Sequence, residues 1–562
     1  MSILLKESIP VNKTRTLIIG LDGATFDLLK PWSQAGYLPT LTRLMAQGVH
    51  GPLLAWPNMN SAAAWTSMVT GCNPGQHGVY DFGTAAPQRG TRWQPTTARS
   101  RAKPPFWHFL SAAGAHVGIV NIPITYPVDS VNGFMLAGMD APSVSSPGFA
   151  HPPGLPEELR RAGISYILDA PKLQGPGKRN PHRTPGLVRN MVEGRAGAML
   201  HLMKNHAWDT MMAVFIATDR IQHFYWPRED VPFDSPSWRP VRSVYEQIDS
   251  FLDEALKLVD ENTNVLLVSD HGFGPSYYAT RVVNQLLGQI GLVSYHHSGS
   301  RISSRLFRNL LLYGRMIIPL SLQPHLARAF PKFHLRSLSE HTYWGIDWSN
   351  TLAYVHPYGG QVYVNLKGRE VEGIVSPQEY DSIRERVREI LMNLTESPHG
   401  KRVIRAVKRR EELYHGPYSQ KASDLIIRWD YEIVRDSLCY HANGEPVIIQ
   451  AQKGSGSSQQ WRGSHRPEGI FIAHGPHIKR GATVKNATIY DIAPTILYLQ
   501  HHAIPGDMDG KVLTDIFTEQ QLRRQPVQHC EPASTMKGPA PVDLDPEEAK
   551  KVKERLRDLG YL

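Results

Sequence analysis

Along the chain, short continuous apolar runs alternate with stretches in which apolar residues recur at helical spacing. Thr16 to Leu21 (TLIIGL), Met211 to Ala217 (MMAVFIA), Val265 to Val268 and Gly469 to Ala473 (GIFIA) have the length and texture of buried strands. Thr40 to Gln47, stopped by Gly48, reads as a helix, as does Ile492 to Leu499. Val244, Ile248, Phe251, Leu252, Ala255 and Leu258 form one apolar helical face. Strands alternating with helices predict an α/β fold whose mostly parallel central sheet is covered on both faces. In such sheets, sites form outside the carboxyl ends of the strands. Three of the runs end there in acidic residues: Asp22-Gly23, Thr218-Asp219 and Ser269-Asp270-His271-Gly272.

Two long intervals break this pattern. Residues 141–200 contain a Pro/Gly/basic stretch, Pro171 to Gly186, expected to be a mobile loop within an insertion or cap. Residues 276–440 are long enough for an inserted substrate or cap subdomain. There Ser376-Pro377-Gln378-Glu379 is a capping box, and Ile383, Val387, Ile390 and Leu394 continue a helix. Leu/Ile clusters alternating with arginines from Arg301 to Arg336 are expected to form a helical cap over a cleft. The catalytic core is then expected in three parts, 1–140, 201–275 and 441–525. Residues 526–562 would be a Pro-rich linker followed by a charged helix from Pro546 to Leu559.

Composition narrows the class. With 41% hydrophobic and 20% charged residues the chain is globular rather than disordered. The net charge of +10 fits either a solvated basic surface or attraction for a small anionic substrate. The basic residues are dispersed, and no helix-turn-helix, zinc-finger or aromatic-basic signature for nucleic acid is present. Cys72, Cys439 and Cys530 lack metal-ligand spacing and suit a reducing compartment. The opening MSILLKESIP is too short in apolar residues for a signal-peptide core. No apolar run reaches the roughly 18 residues of a membrane span, so a cytoplasmic protein is expected. The oligomeric state is not legible.

Seven residues carry candidate chemistry: Asp22, Ser61, Asp219, His223, Asp270, His271 and His465. Asp219 and His223 stand four apart and share a helical face. Asp270 and His271 can turn toward one ion at a strand end, where Gly272 permits close backbone approach. Imidazole plus carboxylate ligands suit two divalent metal ions, Zn2+ with Mn2+ tolerated. Ser61 opens a helix-like stretch after Trp56-Pro57-Asn58, where free N–H groups favour a phosphoryl anion. A plain N-cap role for Ser61 is the competing reading.

These motifs, in this order, resemble the alkaline phosphatase superfamily. The resemblance is carried by Asp22-Gly23, Ser61 to Gly71 continuing as Asn73-Pro74-Gly75-Gln76-His77-Gly78, Asp219-x-x-x-His223, Ser269-Asp270-His271-Gly272 and Gly463-Ser464-His465. Asp491-Ile492-Ala493-Pro494-Thr495, Asp507-Met508-Asp509-Gly510 and Leu559-Gly560-Tyr561-Leu562 extend it over nearly the whole chain. It is most similar to the type I phosphodiesterase/nucleotide pyrophosphatase branch in its soluble prokaryotic form. The resemblance implies an alkaline-phosphatase-like three-layer α/β/α sandwich with inserted cap subdomains. It implies that Asp219, His223 and His465 hold one metal, that Asp22, Asp270 and His271 hold the other with Ser61, and that Ser61 forms a phosphoserine intermediate. The activity implied is hydrolysis of phosphodiesters or nucleotide-type pyrophosphates; a phosphotransferase or phosphomutase passing the group to an alcohol is the alternative. Two departures bear on substrate. The asparagine that contacts phosphate in nucleotide-cleaving members is replaced by Phe82, beside Asp81. Ala62-Ala63-Ala64 after Ser61 exclude the sulfatase pattern.

Overall fold

The computed structural model describes residues 14–83, 94–169, 184–227, 230–277, 282–296, 345–356, 360–442, 444–450, 462–532 and 544–558. Most of Pro171 to Gly186, all of Arg301 to Arg336, residues 533–543 of the Pro-rich linker and the terminal Leu559-Gly560-Tyr561-Leu562 lie outside them.

The apolar runs form strands Arg15–Leu21 (β1), Val49–Leu54 (β2), Val117–Val120 (β3), Gly133–Leu136 (β4), Ala150–His151 (β5), Thr210–Phe215 (β6) and Thr263–Val268 (β7). With Glu468–His474 and Ala482–Thr483 they make one large sheet in the order Ala482–Thr483, β2, Glu468–His474, β7, β1, β6, β3, β4, β5. Strands β7, β1, β6, β3 and β4 are parallel neighbours. Glu468–His474 runs antiparallel to both β7 and β2, so β2 points the same way as β7. Every residue of β6 and β7 is buried, and so is every residue of β1 after Arg15. A strand buried on both faces needs cover on both sides. Helices Phe26–Gln34, Pro39–Gln47, Thr184–Asn205, Ala217–Tyr225 and Arg239–Leu256 pack among themselves, and Ser61–Thr70, Phe106–Ala112 and Ile492–Leu499 make a second group. This is the mostly parallel α/β sheet with flanking helices that the periodicity predicts.

Register explains why chemistry collects at one edge. Leu21 lies opposite Phe215, and Gly20 opposite Val268, so β1, β6 and β7 end together. On the far side Glu468 pairs with Leu54, which brings the start of one strand and the end of β2 to the same edge. Two boundaries differ from the sequence expectation. Strand β6 stops at Phe215, and Ala217 already begins a helix, so Asp219 sits in a first helical turn rather than on a strand end. Ser376 and Glu379 do bond reciprocally, but they close a turn, and the helix itself runs Tyr380–Met392.

A second, smaller sheet lies in the 276–440 interval. Its order is Ile404–Arg409, Leu425–Trp429, Gln361–Val364, Ala353–Val355, all antiparallel. Val387, Ile390, Leu391, Leu425 and Ile427 belong to its separate apolar core. It meets the large sheet's loops where Tyr414 donates to Asn58 Oδ1 at 3.0 Å and Trp56 and Tyr80 pack beside Tyr414 and Ile426. That contact lies three residues ahead of Ser61.

Candidate metal centre

The loops at the carboxyl edge are tied to one another before any side chain reaches the centre. Gly23 N–H donates to Asp270 Oδ1 at 3.2 Å, and Ala24 N–H to Ser269 Oγ at 3.0 Å. Thr218 Oγ1 donates to the Asp22 carbonyl at 2.5 Å, and Gln222 Nε2 to the Gly23 carbonyl at 2.9 Å. Gly272 is required by space: a Cβ there would stand 2.0 Å from the Glu468 carbonyl oxygen. That close approach lets strand Gly272–Pro275 (β8) pair antiparallel with Gly463–Arg466, setting His465 opposite Phe273. The rings of His465 and His271 stack with centroids 3.7 Å apart.

All seven predicted residues meet here. His223 Nε2 and His465 Nε2 each stand 3.2 Å from Asp219 Oδ1 and 3.1 Å from one another. His271 Nε2 is 3.2 Å from Ser61 Oγ, 3.3 Å from Asp270 Oδ2 and 3.7 Å from Asp22 Oδ1. Ser61 also hydrogen-bonds Asp270. Each imidazole is turned by its other nitrogen: His223 Nδ1 donates to the Gly463 carbonyl at 3.0 Å, His465 Nδ1 to Met59 at 2.7 Å and His271 Nδ1 to Gly272 at 3.0 Å. This fixes the tautomer in which Nε2 carries a lone pair toward the centre, the form a metal needs.

The centre is short of positive charge. Asp22 Oδ1, Asp219 Oδ1 and Asp270 Oδ2 are buried with no hydrogen-bond donor. Burial pushes the Asp22 carboxyl well above the usual range, and Asp270 and Asp219 push it further. Asp270 is pushed up to about 7, again by burial first, with Asp219 adding to the shift against His465. Burial would raise Asp219 too, but His223, His465 and the Arg220 guanidinium outweigh it and hold it well below the usual range. Burial holds His223 and His271 below theirs, hence neutral. Neutral imidazoles around orphaned carboxylate oxygens fit divalent cations. Two groups have ligand atoms within 4.8 Å of one another: Asp219 with His223 and His465, and Asp22 with Asp219 and His271. Asp219 belongs to both, so it stands between the two positions.

Ser61 is the first residue of helix Ser61–Thr70, and the N-cap is Asn60, whose Oδ1 accepts from Ala62 N–H at 3.0 Å. Ser61 is therefore not spent as the cap.

With this geometry established, comparison with known proteins decides the family. The family model described as type I phosphodiesterase / nucleotide pyrophosphatase matches residues 16–439. The chain belongs to this family. It is a metal-dependent phosphoryl hydrolase acting on phosphoric esters. Among solved structures, phosphonoacetate hydrolase from Sinorhizobium meliloti 1021, in complex with phosphonoformate, is similar at 14% identity. The match covers 87% of this chain and 95% of that one, with a TM-score of 0.50. Murine ectonucleotide pyrophosphatase / phosphodiesterase 5 in complex with AMP matches at 13% identity over 90% of this chain and 100% of its own, with a TM-score of 0.48. At such identities the first likeness supports the alkaline-phosphatase-like fold, and the second adds no argument. No curated protein matches the chain by sequence.

Several residues matter here that the sequence reading did not single out or left aside. Trp65, one turn beyond Ser61, donates Nε1–H to Asp22 Oδ2 at 3.1 Å; its i, i+4 spacing from Ser61 was the available signal. Arg220 donates to Asp219 Oδ2 at 2.7 Å. The backbone carbonyls that turn the histidines leave no trace in side-chain identity. His77, within the motif that follows Gly71, is a core residue between Ser67 Oγ and Val79 N–H. Phe82 is buried, and Asp81 is occupied by Asn60 Nδ2 at 2.9 Å.

Proposed function

We propose that this chain hydrolyses phosphodiesters or nucleotide-type pyrophosphates through a phosphoserine at Ser61. The observation that carries the reading is the convergence of three donor-less carboxylate oxygens and three oriented Nε2 atoms beside the Ser61 hydroxyl, which stands 3.2 Å from His271 Nε2. Asp219, His223 and His465 would hold one divalent ion, and Asp22, Asp270 and His271 the other, next to Ser61, with Asp219 close to both. Bound there, two ions supply Lewis acidity to the phosphoryl oxygens and to the attacking and leaving oxygens. Zn2+ suits the mixed imidazole and carboxylate set best, and Mn2+ is compatible.

The chain's own residues do the rest. The N-terminus of helix Ser61–Thr70 presents backbone N–H groups to an anion. Asp270 and His271 orient the Ser61 hydroxyl. Ser61 Oγ forms a bond to phosphorus as the ester bond on the opposite side breaks, and the serine proton leaves with the departing alcohol or phosphate. Water then forms a new P–O bond, the Oγ–P bond breaks, and one water proton restores the hydroxyl. Transfer to an alcohol acceptor would use the same first step, but no residue here favours it. Among the described residues no helix is long and apolar enough to cross a membrane. The free thiols of Cys72, Cys439 and Cys530 support a cytoplasmic setting.

The test is turnover of a matched chromogenic diester and monoester by zinc- and manganese-reconstituted protein, with Ser61→Ala as control. The expected outcome is diester turnover that falls on the order of 10³-fold or more in Ser61→Ala. Undiminished turnover in that variant would sink the nucleophile assignment.

A further inference from the structure

The C-terminal helix reaches the metal centre through two arginines that grip one methionine. Helix Pro546–Asp558 lies on the core by Val552 and Leu556, each 1% exposed and four residues apart. Between them, Arg555 enters the loop that follows β4. Its Nη1 donates to the carbonyls of Met139, at 2.7 Å, and Ala141, and its Nη2 donates to that of Pro142 at 2.9 Å. A guanidinium fork spread over three carbonyls of one four-residue stretch of loop fixes that loop's shape, which a flexible ammonium would do poorly.

The same Met139 is held from the other side by Arg220. Arg220 Nη2 donates to Met139 Sδ at 2.9 Å, Nε to Asp169 Oδ1 at 3.4 Å, and Nη1 to Asp219 Oδ2 at 2.7 Å. Arg220 is 1% exposed, so its position is set by contacts within the protein, these among them, rather than by bulk water. Tying down Asp219 Oδ2 determines which way the carboxylate turns, and leaves Oδ1 facing His223 and His465. The two guanidinium groups repel, and Asp169 and Asp140 lie close enough to Arg555 to offset this. Asp140 is itself committed to the loop, accepting from Ile124 N–H at 2.9 Å and Tyr126 N–H at 2.8 Å.

We propose that the C-terminal helix is a positioning clamp for the metal centre: Arg555 holds the Met139–Pro142 loop, the loop holds Arg220, and Arg220 aims Asp219. Arg555 and Arg220 are positioning residues and touch no reacting atom. The inference rests on the reading that Asp219 holds a divalent ion. It goes beyond that reading by giving residues 544–558, which lie outside the matched family region of residues 16–439, a part in metal retention.

The experiment is zinc affinity of the full-length chain, measured by competition with a chromogenic chelator and expressed per folded molecule. Wild type, Arg555→Ala, Arg555→Lys, Arg220→Lys and the double substitution Arg555→Ala/Arg220→Lys are compared, with far-UV circular dichroism as the check on folding. Partners that orient a metal ligand typically change metal affinity about 10- to 100-fold when removed. Arg555→Ala is expected to weaken one zinc site about ten-fold, and Arg555→Lys to recover little of it. Combined with Arg220→Lys, the losses should be less than additive, because both act through Asp219. Unchanged affinity in a folded Arg555 variant, or strictly additive losses, would overturn the clamp. A helix that only stabilises the fold would lower the melting temperature and leave affinity per folded molecule unmoved, which overturns it as well. If Arg555→Ala fails to fold, Arg555→Lys decides by the same measure; unfolding of both would show the helix holding the whole domain and refute a role specific to the centre. Should wild type bind no zinc, the metal-centre reading fails first, and the two failures are thus distinct.

Discussion

Two regions of this protein bury carboxylates, and they treat them in opposite ways. In the smaller sheet, Asp424 is fully buried and fully answered. Arg369 donates to both oxygens at 2.6 and 2.7 Å, Arg410 and Tyr380 donate to Oδ1 at 3.0 and 2.6 Å, and Val364 N–H donates to Oδ2 at 2.7 Å. Burial opposes its ionisation, but the Arg369 guanidinium and these bonds hold it below the usual carboxylate range. At the carboxyl edge of the large sheet, Asp22 and Asp270 are just as buried, keep orphaned oxygens and are pushed upward. A buried acid surrounded by donors is finished as structure. A buried acid without them is built for a cation.

If that contrast is right, the same chemical change gives opposite results in the two regions. Asp424→Asn removes the buried anion that Arg369 and Arg410 share, leaving Glu370 beside the one and Glu411 beside the other, and should cost about 3 kcal/mol of stability. Its zinc content should match wild type; urea unfolding beside metal analysis checks both. A buried group that is answered without charge comes next. His77 accepts Val79 N–H on Nδ1 at 3.2 Å and bonds Ser67 Oγ through Nε2 at 2.9 Å, and burial, aided by Arg101, pushes it down to about 3. It is neutral in the folded chain, while the unfolded chain takes up a proton below about pH 6.5. Stability is therefore present above pH 6.5 and lost as pH falls from there toward 3. From pH 7 to pH 5 the metal-stripped protein should lose about 2 kcal/mol more than His77→Gln does. Equal pH slopes for the two would place His77 outside the core. The smallest effect carries the reversed sign: Asp22→Asn should stabilise the metal-stripped chain by about 1–2 kcal/mol, because it removes an acid whose ionised form is disfavoured by burial and by Asp270 and Asp219. Destabilisation by that substitution would mean that Asp22 is structurally satisfied and the contrast is false.

Much of this was legible in the chain because the fold and the site share one cause. A continuous apolar run must be a doubly covered strand, and parallel strands end at one edge, so Asp22, Asp219 and Asp270 had to gather there. Asp219 and His223 could be paired by helical spacing alone. The limits were equally physical. Ser61 looked like a possible N-cap because a sequence cannot show that Asn60, one residue earlier, takes that role. Asp219 was placed at a strand end because MMAVFIA is apolar throughout, and periodicity cannot mark where such a run turns from strand to helix at Ala217. The carbonyls of Met59, Gly272 and Gly463 that turn the three imidazoles are invisible in side-chain identity. So is the path from Arg555 to Asp219, whose ends lie more than three hundred residues apart in sequence and meet only through the loop after β4.

The central claim is that Asp219 lies between two metal positions beside Ser61. The most direct measurement is zinc bound per folded chain, by mass spectrometry of metal content after reconstitution, in wild type and in Asp219→Ala. The account predicts two equivalents in wild type and at most one in the variant. Two full equivalents in Asp219→Ala, or none in wild type, would contradict it.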